Sequence, residues 1–218
     1  MTVELSFDVL DIEPDRYGAT PALLARLRVA ETTGAVVHMV ALQAQIRIDA
    51  HLRRYEPEEQ DLMVEQFGEP HRWNDTVRSF TWTHAAVNLP GFSGSRETEL
   101  PIQCTYDLEV LGSRYMNALQ GGVVPLEFLF NGSVVTKAES GLHVHRIPWH
   151  KAAPYELPVS VLHDLMESHY PNAGWLRLHR DTLDALQRFK GGRSIPTWDR
   201  VFAELLDAAD EPMPGRQP

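Results

Sequence analysis

A single cysteine, Cys104, rules out an internal disulfide or a zinc ribbon, and the expected compartment is a reducing one. Long apolar runs are missing too, since nothing approaches the roughly 20 residues that a membrane helix needs. Membrane insertion through helices is therefore not expected. The opening residues MTVELSFDVLDIEPD lack the positive start and apolar stretch of a signal peptide, which points to a cytoplasmic protein. Basic residues are scarce. Lys and Arg number 20 against 30 Asp and Glu, a net charge of −10, and such a field repels nucleic acid and anionic membrane. Neither a Walker loop nor GxGxxG, HExxH, CxxC or GxSxG occurs, so the residues imply no cofactor and no catalytic set. The triplets opened by Asn74 and Asn131 match a glycosylation acceptor but have no meaning without secretion.

What is present suits a globular chain of 218 residues, 43% hydrophobic and 23% charged, with one domain, or one domain and an appendage. Period-2 alternation dominates the first two-thirds. Val3, Leu5, Phe7 and Val9 alternate with Glu4, Ser6 and Asp8. Leu23 to Val29 and Val40 to Ile48 repeat the pattern, as do Phe80 to Ala86, Leu100 to Tyr106, Leu126 to Phe130 and Leu142 to Ile147. Polar faces on these strands point to antiparallel pairing. Between them, Glu56 to Glu69 carries Leu62, Met63 and Phe67 at helical spacing, with acids in the first turn where the helix dipole favours them. A shorter helical stretch covers Ser113 to Gln120. The fold class expected is mainly β with α, an antiparallel β-sandwich over residues 1–147. Residues 148–157 read as a linker, and a small C-terminal helical region of three short helices over 158–207 is expected to pack on the sandwich. Residues 208–218 read as a disordered tail.

Four clusters are candidates for function. In SFTWTHAAVNLPGFSGS, Trp82 and Phe92 stand around a Gly/Pro loop and could anchor a protein partner, or fill the core. Arg177, Arg180 and Arg188, with Lys190 and Arg193, outnumber Asp181 and Asp184 and could receive an acidic surface; a solvated helix face is the simpler explanation. His143 and His145 share a strand face, and His150 follows a Pro-Trp turn, so the three could chelate a metal, against the plain alternative of an exposed polar face. His84 and Cys104 both fall on predicted core faces, where a Cys–His nucleophile competes with ordinary core filling.

The blocks ALQAQIRIDAHLRRY, FGEPHRW, FTWTHAAVNLPGF, ELPIQCTYDLEV, RYMNALQGGVVPLEFLFNGSVV and PNAGWLRLHRDTLDALQRFKGGRSIPTWD resemble a conserved actinobacterial family, a domain of unknown function. The resemblance runs from about Phe7 to Leu206. It implies a genomic context, near the genes of nickel–iron hydrogenases and their accessory factors, and no catalytic residues. With the surfaces above, the expectation is a non-enzymatic binding or accessory protein. Its partner would be a protein, with a hydrogenase subunit or maturation factor the leading choice. The alternatives are a metal-binding protein or metal-dependent enzyme built on His143, His145 and His150, and a chaperone-like protein that cradles clients and forms homo-oligomers.

Overall fold

The computed structural model describes residues 3–104, 111–138, 141–171 and 178–209. Strand outweighs helix, 43% against 33%, so the protein is mainly β. Eight strands occur among the described residues: β1 (Leu5–Pro14), β2 (Ala22–Glu31), β3 (Val37–Ile48), β4 (Phe80–Phe92), β5 (Ser95–Gln103), β6 (Val123–Ala138), β7 (Gly141–Arg146) and β8 (Ala152–Pro158). The helices are α1 (Pro57–Phe67), the single turn α2 (Trp73–Thr76), α3 (Leu111–Ala118), α4 (Val159–His169), α5 (Arg180–Gly192) and α6 (Trp198–Ala208). Helices are thus spread through the chain as well as forming a C-terminal region.

All pairings are antiparallel. One sheet has the order β1-β2-β5. The other runs β4-β3-β6-β7, with β8 also paired to β6. The alternation seen in the sequence explains the core. Leu23, Ala25, Leu27 and Val29 of β2, and Val40, Leu42, Ala44, Ile46 and Ile48 of β3, are all buried in one shared cluster. Phe7 of β1 stacks on Phe130 of β6 with ring centroids 4.4 Å apart, linking the two sheets. Ser93 and Gly94, with Gly94 at φ 72°, pass the chain from β4 in one sheet to β5 in the other.

The loop from β2 to β3 is organised by a buried acid. Glu31 accepts hydrogen bonds from the backbone N–H of Thr33 at 3.0 Å and Ala35 at 2.8 Å, from Glu4 N–H at 3.4 Å, and from the Thr33 hydroxyl. Burial alone would raise its pKa, but these donors outweigh burial and hold the carboxyl below its ordinary value.

The chain divides into two compact units, residues 1–175 and 176–218. The stretch read as a linker, 148–157, instead carries most of β8, which pairs with β6 from Val123↔Pro158 to Leu129↔Ala152. Ala153 and Leu157 of β8 are buried, although the strand contains Pro154 and ends at Pro158. Proline is tolerated here because β8 pairs on one side only. α4 buries Val159, Leu162 and Leu165 in the first unit. In the second, Thr197 caps α6 by accepting from Arg200 N–H at 3.3 Å, and Arg193 of the α5 end pairs with Glu204 at 3.3 Å. Of the tail, residues 210–218 lie outside the described residues.

Candidate functional site

The outer face of the five-stranded sheet has two adjoining zones. The first is an apolar row that follows the cross-strand register Pro90, Met39, Val135, Val144. Leu142 continues it, two residues before Val144 on the same face. Met39 is 41% exposed, Leu142 61% and Val144 69%. The second zone is a shallow cleft of about 460 Å³, floored by the small side chains Ala41, Ala86 and Ser133 and edged by Asn88, Asn131 and Arg146. Its floor is low because the β3 and β6 backbones meet closely. Gly132 has φ 136°, and a Cβ built on it would stand 2.0 Å from the Ala41 carbonyl oxygen. Glycine is the residue that permits both the φ and the approach. Asn131-Gly132, which reads as a turn or bulge, is therefore a close contact inside a continuous 16-residue strand. Chemically this face offers apolar contact area bordered by amide, hydroxyl and guanidinium groups.

A second cleft, of about 580 Å³, lies between α1 and the start of β6. At its base Arg53 and Glu59 pair at 2.6 Å, 8% and 1% exposed respectively. Arg53 also donates to the carbonyls of Gly121 and Val123, both at 2.6 Å. Glu59 accepts from Gln120 N–H at 2.8 Å and Glu56 N–H at 3.2 Å. The pair is a clamp that ties α1 to the loop between α3 and β6. Beside it the Tyr55 hydroxyl donates to Ala50 O at 2.6 Å and stands 2.9 Å from the Tyr115 hydroxyl. Burial first, then the neighbouring phenol, raises the Tyr115 pKa far above its ordinary value, so Tyr115 stays protonated.

The candidates named from sequence are dispersed. Trp82 and Phe92 stand at opposite ends of the 13-residue β4, both half-buried against the core, not on an open loop. The Trp82 ring lies over Gly112, where a Cβ would meet its Cδ1 at 2.7 Å. Arg180 and Arg188 are exposed on α5; Arg177 lies outside the described residues. His145 Nε2 is 3.2 Å from Thr136 Oγ1, and the His150 ring packs edge-on to Trp149. Among the described residues no three His, Cys, Asp or Glu side chains come together as a ligand set, so His143, His145 and His150 do not converge. Cys104 lines a small apolar cavity with Trp82, Met116 and His163. Burial pushes its thiol up to about 12, with a hydrogen bond from the Leu23 backbone opposing only in part. Its S–H donates to Ile102 O at 3.6 Å. A thiol held in that state is not a nucleophile at neutral pH. His84 is exposed beside Gln45, away from the core.

Sequence reasoning passed over the apolar row because its residues come from four strands, and only the register joins them. The alternation of β7 sets Leu142 and Val144 on the face opposite His143 and His145, and that apolar face is exposed. Comparison with known proteins adds little on function. No curated protein matches the chain. A solved β-glucosidase from Kluyveromyces marxianus is similar at TM-score 0.25 and 10% identity, over 71% of this chain and 15% of that one, which carries no argument. Among the described residues no helix is long and apolar enough to cross a membrane. The sequence model of one family, DUF6084, a family of unknown function, matches residues 1–214, and the chain belongs to that family.

Proposed function

We propose that the protein is a non-enzymatic binding protein of the cytoplasm, an accessory or assembly factor for a larger complex, and that its partner docks on the outer face of the five-stranded sheet. The observation that carries this reading is the apolar row of exposed Met39, Leu142 and Val144 around half-buried Val135, beside the Arg146-edged cleft. Contiguous apolar surface rimmed by polar groups is characteristic of docking sites. The row would supply buried contact and the polar rim orientation. The body presenting it is in our reading a β-sandwich, since Phe7 and Phe130 stack between the sheets.

The resemblance to an actinobacterial family encoded near nickel–iron hydrogenases supplies the complex, so a hydrogenase subunit or maturation factor is the proposed partner. Affinity capture from the native host under hydrogenase-expressing conditions, read by mass spectrometry, tests it. Enrichment of a hydrogenase component, lost in a Met39→Glu plus Val144→Glu variant, is expected. No such enrichment, together with unchanged hydrogen uptake after gene deletion, overturns the hydrogenase assignment.

A further inference from the structure

We infer that β7 is an acceptor edge: it binds an extended segment of a partner, apolar on one face and acidic on the other, as an added antiparallel strand. This rests on the reading of the sheet's outer face as the docking surface and specifies how the partner meets it.

The backbone parity of β7 carries the argument. Ile147 N–H donates to Gly132 O at 3.0 Å. These residues stand opposite each other when the register Ser133↔Arg146 is extended by one. In an antiparallel pair, bonded and non-bonded positions alternate. His145 and His143 therefore turn their backbone N–H and C=O into β6. Leu142 and Val144 turn theirs outward, and among the described residues no strand pairs with that edge. An open row of backbone donors and acceptors is a template for another strand unless charge, proline or a covering element blocks it. β7 has no proline, and five of its six residues are exposed.

Side chains define the occupant. On the outer face Leu142 and Val144 border Val135 and Met39, which favours apolar residues at alternate positions of the incoming strand. The opposite face carries His143 and His145. Lys137, opposite Leu142, and Arg146 stand on the outer face, and segment 133–146 holds one acid, Glu139, which lies outside the described residues. In a chain of net charge −10 this is a local excess of cationic and donor groups. Carboxylates on the second face of the incoming strand would accept from the imidazoles of His143 and His145 within this positive segment. A second copy of β7 is the poorer occupant, because pairing two such edges would bring like-charged groups together.

The test uses the full chain and a synthetic peptide of alternating valine and glutamate, matched to the six residues of β7, with a valine–lysine peptide as control. Binding is read by calorimetry and by amide hydrogen exchange. The glutamate peptide is expected to bind and to slow exchange at the Leu142 and Val144 amides, leaving those of His143 and His145 unchanged. Val144→Pro removes one outward N–H and is expected to weaken binding about tenfold at unchanged melting temperature. His143→Glu plus His145→Glu is expected to shift preference to the lysine peptide. If Val144→Pro does not fold, the exchange pattern of the unmodified protein decides. Equal binding of both peptides, no slowing at Leu142 and Val144, or concentration-dependent dimers abolished by Val144→Pro would overturn the inference. Partner capture that survives Val144→Pro but not Met39→Glu sinks the strand-addition mode alone and leaves the docking face standing.

Discussion

Replacing Glu59 by Gln should be among the most damaging single changes in the first unit, although the side chain keeps its shape. Glu59 is 1% exposed and its partner Arg53 8%. The substitution leaves the guanidinium buried with no counter-charge, held only by the carbonyls of Gly121 and Val123 and by the neutral amide. It also weakens the acceptor that serves Gln120 N–H and Glu56 N–H. Removing one member of a buried ion pair costs about 3–5 kcal/mol. For a chain of this size that corresponds to a fall in melting temperature of about 6–20 °C. Arg53→Met should cost a similar amount, for the mirror reason that a carboxylate is then stranded. The double variant Arg53→Met plus Glu59→Gln should be less harmful than the sum of the two, with a coupling of at least about 2 kcal/mol. Thermal unfolding followed by circular dichroism, repeated in urea, measures all three. A melting temperature for Glu59→Gln within about 2 °C of the parent, or strict additivity in the double variant, would refute the clamp.

Further consequences are as direct. Gly132→Ala puts a methyl carbon 2.0 Å from the Ala41 carbonyl oxygen at a φ that L-residues avoid, and a loss of about 2–4 kcal/mol in urea unfolding is expected; a neutral result would mean that β3 and β6 can separate freely. Glu31 has its pKa lowered from an ordinary 4.5. The stability it contributes is therefore complete above 4.5 and lost as pH falls through the folded value. Glu31→Gln should cost about 1–3 kcal/mol at neutral pH and flatten that part of the acid-unfolding curve. Cys104, with its thiol near 12, should resist iodoacetamide at pH 8 in the folded protein and react on unfolding, as mass spectrometry would report. Limited proteolysis should spare residues 152–158, since β8 is paired along its length; fast cutting there would restore the linker reading.

Much of the sheet structure is legible in sequence because burial of one face enforces period 2. β2 from Leu23 to Glu31 and β3 from Val40 to Ile48 follow it residue for residue. The exceptions have local causes. On β4 the pairing jumps from Ile46↔Thr83 to Arg47↔Thr81, which leaves Trp82 as an extra residue. This bulge reverses the faces, so Ala85 is buried and His84, expected inside with Trp82, is outside. On α1 the sequence suggests that Glu59 serves the helix dipole from the solvent side. Its burial depends on Arg53, six residues upstream, and on Gln120, 61 residues downstream. Leu62, counted with the inward face, is exposed, while Met63 and Phe67 are buried. The apolar row shows no periodicity in any one strand, and β7 reads as an ordinary half-buried strand until the pairing places it at an edge. Such features are set by contacts between distant segments, which local pattern does not encode.

The central claim is that the outer face of the five-stranded sheet is where a partner docks. It is tested most directly by measuring how much of the captured partner survives Met39→Glu plus Val144→Glu, two exposed positions whose change should leave the melting temperature intact. The account predicts that capture is lost while folding is retained. Undiminished capture by a folded double variant would contradict it.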